Sequence, residues 1–183
     1  VFGINMVVLD QGQPKCVGLK SILEAFVEHR RDVVRRRTQF DLNKAKNKAH
    51  LLEGVAVALA NIDEIVAIIR ASKTPGDAKT ALIEKEWLIG SFKFPYEDES
   101  IAQVMRLYPN VGLSQDGKLY KLSESQAQAI LDMRLHRLTS LEQNKIIVEY
   151  QGLIDLIKEL MAILNDYSKL MSVIRDESEE IME

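Results

Sequence analysis

Ile146-Ile-Val-Glu-Tyr150-Gln-Gly-Leu153-Ile-Asp-Leu-Ile157-Lys-Glu-Leu160-Met-Ala-Ile-Leu164-Asn-Asp-Tyr167-Ser-Lys-Leu-Met171-Ser-Val-Ile174 is the stretch that decides the fold. Ile146, Tyr150, Leu153, Ile157, Leu160, Leu164, Tyr167, Met171 and Ile174 succeed one another at alternating steps of four and three. Side chains at those steps share one face of a helix, so the spacing draws a narrow coiled-coil seam of about four heptads. Asn165-Asp166 interrupts the helix formers, and the register is expected to carry across it. A seam needs a second helix.

That helix lies upstream. No proline occurs between Leu19 and Pro75, and apolar residues recur at Leu19, Leu23, Phe26, Val33, Phe40, Ala45, Ala49, Leu52, Ala56 and Leu59. The pattern predicts a first long helix over 19–60, about 60 Å at ~1.5 Å per residue. Gly54 weakens it by up to about 1 kcal/mol without ending it. Such a helix is too long for a compact domain of this size. The expected fold is therefore mainly α: a long antiparallel coiled coil carrying a small helical and irregular head over 61–138. The returning helix and an acidic C-terminal helix then occupy 139–183.

Start signals divide the head. Asn61 with Glu64, Ser123 with Gln126, and Thr139 with Glu142 each have the spacing of a capping box. They predict a helix through Arg70, another from 124 to about 138, and the return helix. Thr74-Pro75-Gly76-Asp77 opens a short helix to about Lys85, with proline at the first helical position. Residues 86–122, with Trp87, Pro95, Pro109 and the turn-prone Gln115-Asp116-Gly117, read as an irregular lobe with a small hairpin. Near the start, residues 2–9 read as a strand ended by Asp10-Gln11-Gly12 and Pro14.

Composition bounds what such a chain can be. With 183 residues, 46% hydrophobic and 28% charged, it is neither disordered nor collagen-like. Its longest apolar run, Val55 to Ala60, is far short of the ~20 residues a membrane helix needs. The single Cys16 fits a reducing, cytoplasmic setting. The chain opens on Val1-Phe2-Gly3 without methionine, so it is expected to be a piece of something larger.

A net charge of −3 conceals an asymmetry. Residues 15–48 hold ten Lys/Arg against four acids, and residues 142–183 hold ten acids against four bases. Five arginines, Arg30, Arg31, Arg35, Arg36 and Arg37, fall within nine residues. Two roles are open to them. They can pair with the acids Asp176, Glu177, Glu179 and Glu180 of the return helix, or form a DNA-facing basic patch whose phosphate contacts weaken with salt.

No catalytic, cofactor or metal site is expected. His29, His50 and His136 lack metal-ligand spacing, and Cys16 has no evident base beside it. Gly12 and Gly18 are isolated, without the Gly-Lys-Ser/Thr ending of a phosphate loop. The acids Glu97, Asp98 and Glu99 lie in an exposed context that gives a carboxylate little reason to shift.

Several stretches are familiar. Phe2-Gly-Ile-Asn-Met-Val7, Gln13-Pro-Lys15, Ala25-Phe-Val-Glu-His-Arg-Arg-Asp-Val-Val-Arg-Arg-Arg-Thr38 and Ala49-His-Leu-Leu-Glu-Gly54 resemble the A subunits of the bacterial type IIA topoisomerases. So do Val57-Ala-Leu-Ala-Asn-Ile-Asp63, Thr74-Pro-Gly-Asp-Ala-Lys-Thr-Ala-Leu82 and Ser125-Gln-Ala-Gln-Ala-Ile-Leu-Asp-Met-Arg-Leu-His-Arg-Leu-Thr139. Only 86–121 match loosely, and the extended lobe resembles the DNA gyrase branch more than the topoisomerase IV branch.

The resemblance implies that 1–18 end a preceding tower-like domain. It implies that the rest forms the coiled coil and exit gate of an enzyme that passes one DNA duplex through another. Gyrase does so with ATP and magnesium held by its B subunit, in a two-plus-two heterotetramer. The family's nucleophile is a tyrosine preceded by arginine. None of Tyr96, Tyr108, Tyr120, Tyr150 or Tyr167 follows one, so this segment is expected to be non-catalytic. A gate also implies a two-fold contact. On the 124–138 helix the apolar positions span about 200° where one core contact needs about 100°. The surplus edge, Ile130 and Met133 with Arg134 and Arg137, is the expected dimer surface; burial under the lobe is the alternative.

Overall fold

The computed structural model describes residues 6–10, 12–89, 111–114, 118–133 and 140–181. The chain divides into two compact units, Val1–Asp41 with Leu160–Glu183, and Leu42–Glu159.

In the first unit, β1 (Val7–Asp10) and β2 (Gln13–Cys16) form an antiparallel ribbon, registered from Val7↔Cys16 to Asp10↔Gln13. Gly12 turns the corner at φ 80°, a left-handed conformation that glycine adopts without a Cβ penalty. Pro14 is tolerated because a two-stranded ribbon leaves one side of each strand unpaired. The helix α1 then runs unbroken from Leu19 to Ala60, 42 residues, as the proline-free sequence predicts. Its buried line passes through Val34, Thr38, Leu42, Ala45, Ala49, Leu52 and Ala56. Leu19, Leu23, Phe26 and Phe40 lie on the exposed side instead. Phe26 is turned about 80° and Phe40 about 120° around the helix from Val34, so these two belong to other stripes.

Helix α5 (Ser140–Asn165) and helix α6 (Tyr167–Glu180) are parted at Asp166, where the sequence interrupts its helix formers. Asp166 leaves helical conformation at φ −114°, ψ 111°, and its Oδ1 accepts from the Ser168 amide at 2.8 Å, capping α6. In α5 the buried residues are Ile146, Tyr150, Ile154 and Ile157, while Leu153, Leu160 and Leu164 are half-buried. In α6 the inward residues are Leu170 and Ile174, which pack with Val34; Met171 is half-buried and Tyr167 is 63% exposed. Beyond Asn165-Asp166 the expected seam is thus met at Ile174 and in part at Met171, and Tyr167 departs from it.

The second unit assembles around the C-terminal part of α1. Helix α2 (Ile62–Ala71) follows after one residue, but Asn61 does not cap it. The Asn61 amide instead donates to Val57 O at 2.9 Å and Leu88 O at 2.6 Å, tying the end of α1 to β3 (Glu86–Leu88). Helix α3 (Pro75–Glu84) begins as predicted, with the Asp77 amide donating to Thr74 Oγ1 at 3.1 Å. β4 (Gly112–Leu113) and β5 (Leu119–Lys121) supply the expected hairpin, and β3 completes an antiparallel sheet in the order β3-β5-β4. Helix α4 (Glu124–Leu131) starts from a complete capping box and ends at Leu131, where Asp132 caps it. The end of the predicted 124–138 helix and the start signal at Thr139 fall largely outside the described residues.

The core of this unit is apolar: Val57, Ala58, Ile65, Leu82, Trp87, Tyr120, Leu122, Ala127 and Ile130 pack together. The Trp87 indole N–H donates to Leu82 O at 3.0 Å, so this large ring is buried without an orphaned donor.

Candidate functional site

The arginine cluster is divided by its partners. Glu177 of α6 accepts from Arg30 at 2.7 Å and also from Arg37, so one carboxylate holds two arginines. Arg31 pairs with Glu28 at 3.3 Å and Arg36 with Asp32 at 3.1 Å, both along α1 itself. Arg35 is exposed and has no acidic partner among the described residues. Of the four acids expected to meet this cluster, Glu177 does so. The cluster is thus partly an internal ion pair and partly an open basic face.

The second unit contains a group of buried polar side chains that spacing alone does not connect. Glu53 of α1 is 1% exposed, and both its carboxyl oxygens are engaged. The Tyr120 hydroxyl of β5 donates to Oε2 at 3.0 Å, and the Tyr150 hydroxyl of α5 donates to Oε1 at 2.6 Å. Gln126 of α4, wholly buried, donates from Nε2 to the Tyr120 hydroxyl at 2.8 Å and to His50 O at 2.7 Å. Its Oε1 accepts from the Ser123 amide at 2.9 Å. A backbone amide can only donate, so the orientation of the Gln126 amide is fixed. His50 Nε2 lies 2.8 Å from Ser123 Oγ, which also accepts from the Gln126 amide N–H at 3.2 Å.

Burial sets the protonation of these groups. It holds the His50 pKa below the ordinary 6.5, so the ring is neutral at pH 7 with one donor and one acceptor nitrogen. Burial, then the Glu53 carboxylate beside it, push the Tyr120 hydroxyl far up, so it keeps its proton and remains a donor. These are hydrogen-bonding roles. None of them presents a nucleophile to solvent.

Gly54 makes this arrangement possible. A Cβ at that position would lie 2.6–2.9 Å from the Gln126 side chain, so only glycine lets α4 seat against α1. The sequence carries a signal for this: Glu53-Gly54, a lone acid and a glycine inside the apolar run 51–60.

The expected dimer edge is divided as well. Ile130 is 3% exposed and belongs to the chain's own core, which moves the candidate surface off it. Met133 is half-buried, and Arg134 and Arg137 lie outside the described residues. Among the described residues, no helix is long and apolar enough to cross a membrane.

Residues 1–179 match the family of the DNA gyrase/topoisomerase IV A subunits. The chain is 54% identical over 178 residues to the DNA gyrase A subunit of Aeromonas salmonicida, covering 96% of this chain and 19% of that protein. It is 50% identical over 184 residues to the DNA gyrase A subunit of Pseudomonas aeruginosa, covering 99% and 20%. The corresponding protein of Escherichia coli K12 is 53% identical over 151 residues, covering 81% and 17%. The chain thus spans about a fifth of the length of the curated relatives it matches. Identity at this level over nearly the whole chain, on a 42-residue helix and a small head, leaves one conclusion: the chain belongs to the family of DNA gyrase/topoisomerase IV A subunits.

Proposed function

We propose that this chain is the coiled-coil and exit-gate dimerisation segment of a DNA gyrase A subunit, in a bacterial, cytoplasmic type II topoisomerase. That enzyme introduces negative supercoils by passing one duplex through a double-strand break in another. The observation that carries this reading is α1, 42 unbroken residues and about 63 Å long at ~1.5 Å per residue. A helix of that length serves as a spacer between two functional ends. The pairing of Arg30 and Arg37 with Glu177, and of Lys48 with Glu149, supports an antiparallel return. The gyrase names of the relatives favour supercoiling over the decatenation of topoisomerase IV.

In this reading the segment does no bond chemistry. ATP and magnesium act through the gyrase B subunit. The partners are a second copy of the A protein across the gate, the B subunit and double-stranded DNA. The gate surface centres on Met133, with Arg134 and Arg137. Arg31 and Arg35 form the basic face that meets phosphate. Replacing both with Glu lowers salt-sensitive DNA retention on filters; unchanged retention removes that face from the account.

The test of the gate is a reversible lock. Cys16→Ser removes the native thiol, and cysteines placed singly from Met133 to Arg137 probe the two-fold axis, since a disulfide forms only where Cα atoms approach within about 7 Å. In the full-length assembled enzyme, the closed crosslink should leave DNA cleavage and resealing intact while supercoiling stalls, and reductant should restore turnover. Undiminished supercoiling with the crosslink closed refutes the gate.

A further inference from the structure

Three elements distant in sequence converge on one carboxyl group, and a fourth hangs from the same chain of hydrogen bonds. Glu53 stands on α1, Tyr120 reaches it from β5, Tyr150 reaches it from α5, and Gln126 of α4 donates to the Tyr120 hydroxyl. Every link has a fixed direction. The Tyr120 proton goes to Glu53, so that oxygen is the acceptor for Gln126, whose orientation is set by the Ser123 amide. Hydrogen bonds arranged head to tail reinforce one another, and they fail over displacements that an apolar contact absorbs. Gly54 removes the remaining slack, because Gln126 packs where a Cβ would stand.

We propose that Glu53 is a coupling joint, through which the seating of β5 and α4 and the packing of α5 against α1 are gained and lost together. The inference goes beyond the gate assignment and is independent of it, because it concerns cooperativity within residues 42–159. A shift of α5 that withdraws the Tyr150 hydroxyl takes a donor from Glu53. Tyr120 then re-aims, and Gln126 keeps His50 O but loses the Tyr120 hydroxyl as an acceptor, which loosens the seat of α4. Local opening of α4 and α5 thus behaves as a single unit.

Hydrogen exchange on the full-length protein tests this, using Phe substitutions that keep each ring and remove one hydroxyl. Tyr150→Phe should speed exchange of backbone amides in β5 and α4 by about tenfold, the size expected for losing one partner of a buried group. Tyr120→Phe should speed exchange in α5 around 146–157 by a similar factor, since coupling is reciprocal. The double variant should exchange much less than the product of the two single factors. Glu53→Gln, of nearly the same size, should loosen both regions at once. Ile154→Val weakens α5 at a buried residue while leaving the hydroxyls and the carboxyl in place, so it should also speed exchange in α4, and Glu53→Gln should abolish that transmitted effect. Phe effects confined to their own elements, multiplicative factors in the double variant, or an Ile154→Val effect confined to α5 would each overturn the joint.

Discussion

The arginine face of the first unit and the polar cluster of the second use similar groups, carboxylates answered by hydrogen-bond donors, in opposite surroundings. Arg36 and Asp32 are 70% and 60% exposed, so water and salt compete for both. Glu53 is 1% exposed and held by two tyrosines. In water an ion pair contributes little, because solvation serves each partner almost as well. In the interior the same carboxyl has no substitute for its partners, and removing either side leaves a desolvated group behind. Charge therefore shapes the surface of the first unit, whereas polarity specifies the interior of the second.

The largest expected effect follows from Glu53→Ala, which removes the carboxyl that accepts from the hydroxyls of Tyr120 and Tyr150 and opens a small void. Chemical denaturation should report a loss of about 3 kcal/mol, in the range for breaking a buried network. Next comes Gly54→Ala. Helix propensity alone favours alanine by up to about 1 kcal/mol, but the overlap with Gln126 displaces a side chain fixed at both ends. The net should be a loss of about 2 kcal/mol in the same assay; a gain would mean that α4 can move away freely.

Glu177→Ala should cost about 1 kcal/mol, since its side chain is 23% exposed and serves two arginines, and high salt should shrink the difference. Arg36→Ala should fall below about 0.5 kcal/mol, the usual size for an exposed pair. If Arg36→Ala matched Glu53→Ala, the contrast between the two regions would collapse.

Titration separates the regions in another way. The folded state holds His50 below its ordinary 6.5, so the unfolded chain takes up a proton first as pH falls. The associated stability is fully present above pH 6.5 and is lost progressively below it. Melting temperature measured from about pH 7.5 to about pH 5.5 should therefore decline more steeply in the natural chain than in His50→Gln. The Lys79 ammonium, by hydrogen bond and then by charge, holds Glu124 below its ordinary 4.5, so that pair contributes only to changes at lower pH. Parallel slopes for the two chains would show that His50 is not the group responsible.

Much of the frame is legible from local signals. The unbroken length of α1, the Thr74 cap and the Ser123 capping box follow from the absence of proline and from side-chain reach, which act over a few residues. Three errors share a different cause. Asn61 has the sequence of a cap, yet its amide is drawn to Leu88, which only the folded sheet brings near. Tyr167 fits the heptads, but one extended residue at Asp166 turns it outward. Ile130 looks surplus on a helical wheel because the core residues it joins, Leu82 of α3 among them, come from elsewhere in the chain. The Glu53 cluster is the extreme case, since its members lie as much as 97 residues apart. Periodicity shows that a face is buried. It does not show which polar groups meet there.

The central claim is that the head carries a self-complementary contact, and the mass of the chain in solution tests it most directly. Light scattering at tens of micromolar should give twice the 20.8 kDa of a single chain, falling toward one chain on dilution, as a gate that opens requires. Met133→Glu should shift that equilibrium toward the monomer without lowering the melting temperature of the second unit. A natural chain that stays at 20.8 kDa throughout would contradict the dimerisation account.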